Sequence, residues 1–322
     1  MKVFDTSRGN AIEGRGISYK RPLQIGEYSR THDGSIHLDD RCLKSYQKAP
    51  LHTSLLVGLE SHQEPPHDDV ENPAPMDPIF ECLTQKGTPK HDVVSYRNNL
   101  NKILQTPYND SNEWCIEVRR EEDRLILNCQ LTESQKSGKN APSEYVEKCC
   151  YAGRYYEVLS TNPAADTKEE YCGVFRCELG SLTLILAAEI DCANEEKEYV
   201  ELKTFRELKN PKDVRVFERH KLLSFWIQSY LVGVPYVRVG FRGSKDGEDF
   251  VLKTQQLFRV LELPKFGGKY WKPEVCLNFA HGFLKWLLDN TESGVSYLAT
   301  YIPTRREVQL IPKQLSFKKR KS

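Results

Sequence analysis

Four ionisable residues at the ends of two neighbouring strand-like segments have the types and spacing to carry out chemistry. Glu189 and Asp191 end an alternating segment that begins at Leu182, and Glu201 and Lys203 lie in the next one. If the segments form an antiparallel hairpin, a register that places Asp191 opposite Glu201 brings all four side chains to one face. Directly opposed residues have Cβ atoms about 4.5–5.5 Å apart, so the three carboxylates would repel one another strongly without a cation.

The donor atoms of this cluster indicate which cation it would hold. Carboxylate oxygens with one ammonium group and no His or Cys suit Mg²⁺ or Mn²⁺ rather than zinc. Such ions polarise a phosphate and lower the pKa of a bound water, and Lys203 is then the natural group to orient that water. The pattern therefore favours phosphoryl transfer. Spacing alone leaves one alternative open, a set of surface salt bridges worth less than about 1 kcal/mol per pair.

The two segments predict strands that are covered differently. Segment 182–190 is apolar on both faces until its end, which predicts a central strand covered on both sides. Segment 199–204 alternates, so that Glu201 and Lys203 share one face and apolar residues share the other. We therefore expect the acids to project at the border of the core.

Two predicted helices carry polar residues in or beside an apolar stripe. The first begins at about Asp92 as N-cap and stops at Thr106 because a proline follows, and Arg97 lies within its stripe. The other covers about 210–233, with an asparagine cap and a proline in its first turn, and Gln228 borders its stripe. Both side chains are thereby expected close to the protein interior.

Another predicted helix directs a carboxylate inward. It begins at about Ser143, and we expect Cys149, Cys150 and Gly153 to mark its inward face. Glu157 follows Gly153 by four residues and so falls on the same face. The sequence therefore predicts a further acid in the interior.

Length and composition predict a globular chain without a membrane span. Its 322 residues are 39% hydrophobic and 28% charged, and its longest apolar stretches are shorter than the ~20 residues of a spanning helix. The 46 Lys and Arg residues nearly balance the 45 Asp and Glu residues, which leaves a net charge of +1. A polyanion would therefore have to bind to a local basic groove rather than to a global positive field.

The amino terminus and the cysteines predict an intracellular protein. The first residues contain no apolar core of the ~7–15 residues that a secretory signal requires, so the ten cysteines are expected as free thiols. No CxxC pair occurs, which argues against a zinc framework. The basic run 318–321 is typical of a solvated terminus or of a nuclear import signal. We expect the protein in the nucleus, the cytoplasm or both.

The order of the remaining segments predicts one body of mixed α and β structure. The Pro-rich stretch 64–78 and the polar stretch 132–142 are typical of loops. After the second loop, strand-like and helix-like segments alternate to about residue 311. Among them, segment 273–290 has a stripe typical of a helix packed on the core.

The two acidic segments also resemble known motifs. Glu189-Ile190-Asp191 and Glu201-Leu202-Lys203-Thr204 are similar to the paired acidic motifs of the DXO family of decapping exoribonucleases. The other matching motifs, in the family's order, lie at 153–157, 96–108, 225–233 and 240–242. The resemblance extends from about residue 25 to residue 302, which is most of the chain. With the acidic pair counted as one, five motifs in order are far more specific than a single motif, and they argue against the salt-bridge alternative.

The resemblance implies a fold and a division of the chain. The fold is a single nuclease-like domain of mixed α and β structure, with a central mixed β-sheet, a second β-sheet and flanking helices. The decapping nuclease domain would cover 25–311, with an unassigned segment at 1–24 and a basic tail at 312–322.

The resemblance also implies an activity. Enzymes of this family hydrolyse phosphodiester or pyrophosphate linkages at RNA 5′ ends, which carry incomplete caps, triphosphates or NAD, and many then degrade the 5′-monophosphate RNA. A second hypothesis is a non-catalytic RNA 5′-end binder, or a partner of another nuclease, as some relatives act. A third is a DNA nuclease with the same chemistry, which a dependence on the 2′-OH would separate. The intact acids favour the enzyme, since unoccupied acids repel RNA phosphates.

The resemblance finally implies roles for individual residues around Mg²⁺ or Mn²⁺, with two ions expected. The metal ligands it implies are Glu157, Glu189, Asp191, Glu201 and the main-chain carbonyl of Leu202. The catalytic residues it implies are Glu189, Asp191, Glu201 and Lys203. The residues it implies for substrate contact are Arg97 on a phosphate, Gln228 at the metal site or the attacking water, and Arg238 and Arg242 along an RNA channel.

Overall fold

The computed structural model describes residues 1–7, 16–61, 75–87, 90–137, 143–161, 168–243 and 249–313. The strands in this part of the chain are β1 Lys2–Asp5, β2 Tyr19–Arg30, β3 Ile36–His37, β4 Val93–Tyr96, β5 Trp114–Glu121, β6 Arg124–Gln130, β7 Glu170–Leu179, β8 Leu182–Glu189, β9 Cys192–Ala193, β10 Tyr199–Arg206, β11 Tyr236–Arg242, β12 Leu252–Arg259, β13 Ser296–Ile302 and β14 Glu307–Pro312. The α-helices are α1 Asp77–Lys86, α2 Arg97–Gln105, α3 Glu133–Lys136, α4 Glu144–Leu159, α5 Pro211–Val216, α6 Leu222–Tyr230, α7 Leu263–Gly267 and α8 Pro273–Asn290.

Two sheets form the framework. The larger has the order β1-β14-β13-β5-β6-β4-β8-β7-β2-β3, and the smaller has the order β12-β11-β10-β9. Strand β4 is parallel to β6 and β8, and β10 is parallel to β11, whereas the other named pairs are antiparallel. This confirms the predicted mixed α and β domain with a central mixed sheet and a second sheet.

Strand β8 occupies the interior of the larger sheet because both of its faces are apolar. Leu184 and Leu186 pack into one hydrophobic cluster, and Ile185 and Ala187 pack into another on the opposite face. Burying a leucine or isoleucine side chain contributes about 1.5–3 kcal/mol. The prediction of a central strand is confirmed, and its charged end, Glu189, comes where this double cover stops.

The predicted hairpin between segments 182–190 and 199–204 is wrong. Strand β8 pairs with β4 and β7, because its two apolar faces are covered only inside the larger sheet, whereas β10 belongs to the smaller sheet. The chain leaves β7 after Ile190, whose N–H still donates to the Tyr171 carbonyl. The short β9 then pairs with β10 and places Cys192 opposite Val200. Continued by one residue, this register places Asp191 opposite Glu201, as predicted. Glu189, by contrast, is paired with Cys172 of β7 and not with the second segment.

The helix predicted from Asp92 begins five residues later. Val93 and Val94 are fully buried in β4, because β-branched side chains suit a strand that is paired on both edges. Asp92 does not cap a helix, since its carboxylate accepts the N–H of Thr183 at 2.7 Å. The predicted end is confirmed, with α2 stopping at Gln105. Arg97 is consequently the first residue of the helix.

The helix predicted from Ser143 is confirmed, but one of its face markers is wrong. The Ser143 hydroxyl accepts the Val146 N–H and caps α4. The buried residues of α4 are Tyr151, Ala152 and Tyr156. Cys150 is exposed because it lies off the stripe that these residues form.

The helices predicted at 210–233 and 273–290 are both found. Asn210 accepts the N–H groups of the next helical turn, as predicted. The first prediction missed a π-turn at Phe217–Lys221, which joins α5 to α6. Gly233 has a φ of 71°, a left-handed conformation that favours glycine after a helix. Helix α8 has the predicted bounds.

The loop predictions are partly outside the described residues, which include neither 64–74, nor 138–142, nor the basic run 318–321. Pro78 lies in the first turn of α1 rather than in a loop. Thr132 forms a reciprocal capping box with Gln135 and begins α3. Strand β1 lies in the segment that we left unassigned, and it pairs with β14.

Two further expectations concern cysteines and membranes. All ten cysteines are free, as predicted. In the described ranges, we find no helix with the length and apolar character needed to cross a bilayer.

Candidate active site

The predicted site residues meet where the two sheets approach each other. Glu189 ends β8, Asp191 lies in the link to β9, and Glu201 and Lys203 lie in β10. Helix α2 contributes its first residue, α6 contributes a glutamine, and α4 contributes Glu157. A site built from five elements depends on the whole fold for its geometry.

Glu201 is the centre of this cluster. Its carboxylate is 1% exposed and accepts hydrogen bonds from Lys203 Nζ at 2.5 Å and Gln228 Nε2 at 2.5 Å, both on Oε1. Arg97 Nη1 lies 3.3 Å from Oε2. Burial alone would raise the pKa of Glu201, but Lys203 and Arg97 outweigh it and lower that pKa. Glu201 is therefore a fixed, ionised carboxylate.

Arg97 connects three parts of the site. Its guanidinium is buried and donates to the main-chain carbonyl of Glu189 at 3.1 Å and of Gln228 at 3.3 Å, in addition to its contact with Glu201. The planar fork of an arginine suits such simultaneous contacts. The structure thus places Arg97 in the acid cluster, and its contact with a phosphate stays a prediction.

Asp191 lies against the next strand. Its Oδ2 accepts the Leu202 N–H at 2.6 Å and lies 3.8 Å from Lys203 Nζ. Burial and then repulsion from Glu201 raise its pKa to about 7, although Lys203 opposes the shift. Leu202, predicted to offer its carbonyl to a metal, uses its N–H to hold Asp191 in this structure.

The other two acids also resist ionisation. Burial, followed by repulsion from Asp191, raises the pKa of Glu157 well above its usual value. Glu189 is exposed yet largely surrounded by protein, and this desolvation, followed by repulsion from Glu170, raises its pKa. Lys203 shows the converse effect, because burial would lower its pKa but the carboxylates around it raise it.

The charges and donors of the cluster fit a divalent cation. Four carboxyl groups face the two cations Arg97 and Lys203, so full ionisation leaves two surplus negative charges, and three of the four acids have raised pKa values. Oxygen donors of this kind are those that Mg²⁺ and Mn²⁺ prefer. Within the described residues, no three acids, histidines or cysteines already surround a common point as ligands of an ion. Asp191 and Glu201 accept hydrogen bonds from the Leu202 N–H and from Lys203 and Gln228 in this structure.

The two predicted channel arginines have different surroundings. Arg238, paired in register with Leu202, is half-buried with its guanidinium 5.3 Å from the centre of the Tyr46 ring. Arg242 is 6% exposed and lies 4.2 Å from the centre of the Phe250 ring. Part of each guanidinium has no hydrogen-bond partner in the described residues. The two arginines are therefore stacked on aromatic rings rather than extended into solvent.

Two charged residues near the site carried no signal in the sequence. Glu170 and Lys44 both act electrostatically on Glu189, the first raising and the second lowering its pKa. Glu170 begins β7, whose Cys172 is paired with Glu189. Only the sheet topology brings these distant segments together.

Comparisons with known proteins show which family this chain belongs to. The family model for RAI1-like PD-(D/E)XK nucleases matches residues 20–320. The Decapping and exoribonuclease protein of Mus musculus is 30% identical over 300 residues, which cover 83% of this chain and 74% of that protein.

Two solved structures share the fold. Candida albicans Rai1 in complex with pU5-Mn²⁺ has a TM-score of 0.79 and 24% identity, with 94% of this chain and 91% of that chain covered. Scheffersomyces stipitis Rai1 in complex with (3′-NADP)⁺ and a calcium ion has a TM-score of 0.80 and 22% identity, with 98% and 94% covered.

Proposed function

Because this chain belongs to the RAI1-like PD-(D/E)XK nuclease family, we propose that it is a metal-dependent hydrolase of RNA 5′ ends. The product is 5′-monophosphate RNA. The observation that carries the proposal is the environment of Glu201. This buried, ionised carboxylate accepts hydrogen bonds from Lys203, Arg97 and Gln228, and the acids beside it have no cation to balance their charge when they are ionised. A non-catalytic binder would have no use for this arrangement.

Each residue of the site has a defined role in this proposal. A bound divalent ion supplies Lewis-acid stabilisation of the phosphate and lowers the pKa of water. Asp191, Glu201, Glu157, Glu189 and the Leu202 carbonyl would hold the metal. Lys203 positions the attacking water and offsets the charge that develops on the phosphate. Gln228, fixed on Glu201, hydrogen-bonds that water or the metal site, and Arg97 holds a phosphate oxygen.

The metal is Mg²⁺ or Mn²⁺, and we propose two ions. A Mn²⁺ complex is known for the Candida albicans relative, and the surplus of two negative charges accounts for the first ion. A substrate phosphate would bring the charge that a second ion requires.

The substrates are RNAs whose 5′ ends carry an incomplete cap, a triphosphate or NAD. After it removes this 5′ group, the enzyme degrades the RNA body in the 5′-3′ direction. The name of the mouse relative includes both decapping and exoribonuclease activity. The Scheffersomyces stipitis relative binds a phosphorylated NAD, which supports removal of NAD caps. Arg238 and Arg242 would line the RNA channel, because Nε of Arg238 and two guanidinium nitrogens of Arg242 have no partner in the described residues.

We place this activity in the nucleus, the cytoplasm or both. The basic run 318–321 supports nuclear import, and ten free thiols suit a reducing compartment. A partner nuclease would share in the degradation of the 5′-monophosphate product.

A panel of RNAs that differ only at the 5′ end tests the proposal. Triphosphate, unmethylated-cap, methylated-cap, NAD and monophosphate RNAs are incubated with Mn²⁺, with Mg²⁺ and with chelator. With metal, we expect release of the 5′ group from the triphosphate, unmethylated-cap and NAD RNAs and degradation of the monophosphate RNA, and with chelator we expect neither. Glu201→Gln should abolish release, whereas Glu195→Gln, at an exposed position, should not. Equal activity in chelator, or in Glu201→Gln, would overturn the proposal.

A further inference from the structure

Outside the acid cluster, an amine and a thiol meet at an unusually short distance. Lys102 Nζ lies 2.6 Å from Cys129 Sγ. The other hydrogen bonds to or from cysteine sulfur in the described residues span 2.9–4.0 Å. Even an N–H···O bond, with its smaller acceptor atom, usually spans about 2.9–3.0 Å. The contact is therefore shorter than an ordinary hydrogen bond to sulfur.

The surroundings leave this pair available for reaction. Both side chains are half-exposed, so small oxidants can reach them. In the described part of the chain, no carboxylate forms an ion pair with the Lys102 ammonium, and the thiol is the side-chain group it contacts.

We propose that Lys102 and Cys129 form a covalent nitrogen–oxygen–sulfur bridge when the protein meets dioxygen. One oxygen atom bonded to both groups holds nitrogen and sulfur farther apart than a direct N–S bond but closer than a non-bonded contact. The observed separation lies in this interval. Oxidised cysteine is known to condense with nitrogen as well as with thiols.

The reaction balances with one molecule of dioxygen. The Lys102 ammonium first gives a proton to solvent. One N–H bond, the S–H bond and the O–O bond break, N–O and O–S bonds form, and the second oxygen atom leaves as water. Nitrogen and sulfur each lose two electrons, and dioxygen gains four. Excess thiol reductant supplies the four electrons that return the amine and the thiol, and the bridging oxygen leaves as water.

The bridge would fasten the helix that begins at Arg97 to the larger sheet. Lys102 lies in α2 and Cys129 lies in β6, 27 residues apart in the chain. A covalent link over this distance stabilises the fold because it restricts the unfolded chain, as a disulfide does. The inference does not depend on the proposed function, since neither residue is assigned to catalysis.

Mass spectrometry of the full-length protein tests the bridge directly. The protein is exposed to air-saturated buffer and digested without reductant. We expect a linked pair of peptides containing Lys102 and Cys129, with a mass equal to their sum plus one oxygen and minus two hydrogens. Dithiothreitol should separate them. A linked pair without the added oxygen, or separate peptides with an alkylatable Cys129 thiol, would overturn the proposal.

Variants and melting temperatures test whether the link and its stabilising effect come from Lys102 and Cys129. Cys129→Ser and Lys102→Arg should lose the linked peptides, whereas Cys150→Ser, which removes an exposed cysteine, should retain them. The oxidised wild type should melt about 3–6 °C above the reduced wild type. The same difference in the Cys129→Ser protein would contradict the assignment to this pair.

Discussion

The ion pair of Lys203 with Glu201 and the ion pair of Arg41 with Asp39 contain similar charges in opposite surroundings. Arg41 and Asp39 lie 2.7 Å apart, with side chains that are 50% and 42% exposed. Lys203 and Glu201 lie 2.5 Å apart, but Glu201 is 1% exposed. Water solvates the first pair whether or not it forms. The second pair must be satisfied by protein, which provides two more donors to the carboxylate. A buried charge that needs this many protein donors is typical of a functional site.

The acid cluster itself contains a second contrast. Two cations lower the pKa of Glu201, whereas burial and repulsion raise the pKa of Asp191 to about 7. In the metal-free protein, Glu201 therefore stabilises the fold and Asp191 opposes it. Substitutions of Asp191 and of Glu201 should therefore have different effects on stability, although both should abolish activity.

The largest expected effect is on catalysis by the buried acids. Asp191→Asn and Glu201→Gln should each lower kcat/KM by at least about 10³-fold, because each removes a charge that holds the metal. The measurement is release of the 5′ group from triphosphate RNA with Mn²⁺. Asp39→Asn is the matched control and should keep wild-type turnover. Normal turnover in both buried-acid variants would sink the site assignment.

Lys203→Met should act on the transition state. Methionine keeps much of the side-chain volume but removes the ammonium, so kcat should fall by about 10²-fold while KM changes little. Steady-state kinetics on one RNA gives both constants, with Arg41→Met as control. If kcat were normal and only the melting temperature fell, Lys203 would have a structural role alone.

The stability of the same variants sharpens the contrast between the two acids. Glu201→Gln should lower the free energy of unfolding by about 2 kcal/mol, because it weakens charged hydrogen bonds from Lys203 and Arg97. Asp191→Asn should leave that free energy unchanged or higher, because it removes repulsion. Urea unfolding of the metal-free proteins measures both. Equal losses in the two variants would show that the pKa contrast does not exist.

A smaller effect is expected in the pH dependence of metal-free stability. The pKa of Asp191 is about 7 in the folded protein and about 3.9 in an unfolded chain. The folded form therefore binds the Asp191 proton more tightly than the unfolded chain does. The contribution of this proton to the free energy of unfolding is present at low pH and is lost as pH rises from about 4 to 7. Glu201 has the opposite sign, and its contribution is lost as pH falls below the unfolded value of about 4.3.

Urea midpoints at pH 5 and pH 7.5 in chelator check this sign. The wild-type midpoint should be lower at pH 7.5, and Asp191→Asn should reduce the difference. A difference of the same size in Asp191→Asn would assign the effect to other groups, of which Glu157 and Glu189 also have raised pKa values.

The proximity of Asp191 and Glu201 was predictable from sequence because their spacing is local. The apolar faces of β8 predicted its central position, and the interval between Asp191 and Glu201 predicted their register. The hairpin prediction failed because the alternation of apolar and polar residues shows which side chains share a face of a strand. It does not show which other strands that strand pairs with. The helix prediction at Asp92 failed because tertiary pairing on both edges of β4 outweighed a capping signal.

Other features had no local signal at all. The surroundings of Arg242, at the end of β11, include the Phe250 ring and the Cys149 thiol of helix α4. The contact between Lys102 and Cys129 depends on how α2 lies on β6. Pairs of this kind are set by packing between segments that are distant in sequence.

The central claim is that the acid cluster, with its surplus of negative charge, binds the metal. Calorimetric titration of Mn²⁺ into the metal-free protein tests this claim most directly. At pH 6.5 the wild type should bind Mn²⁺ and release protons from its raised-pKa acids, seen as different apparent heats in buffers of different ionisation enthalpy. The double variant Asp191→Asn with Glu201→Gln should show no such binding. Equal Mn²⁺ affinity and equal proton release in both proteins would contradict the account.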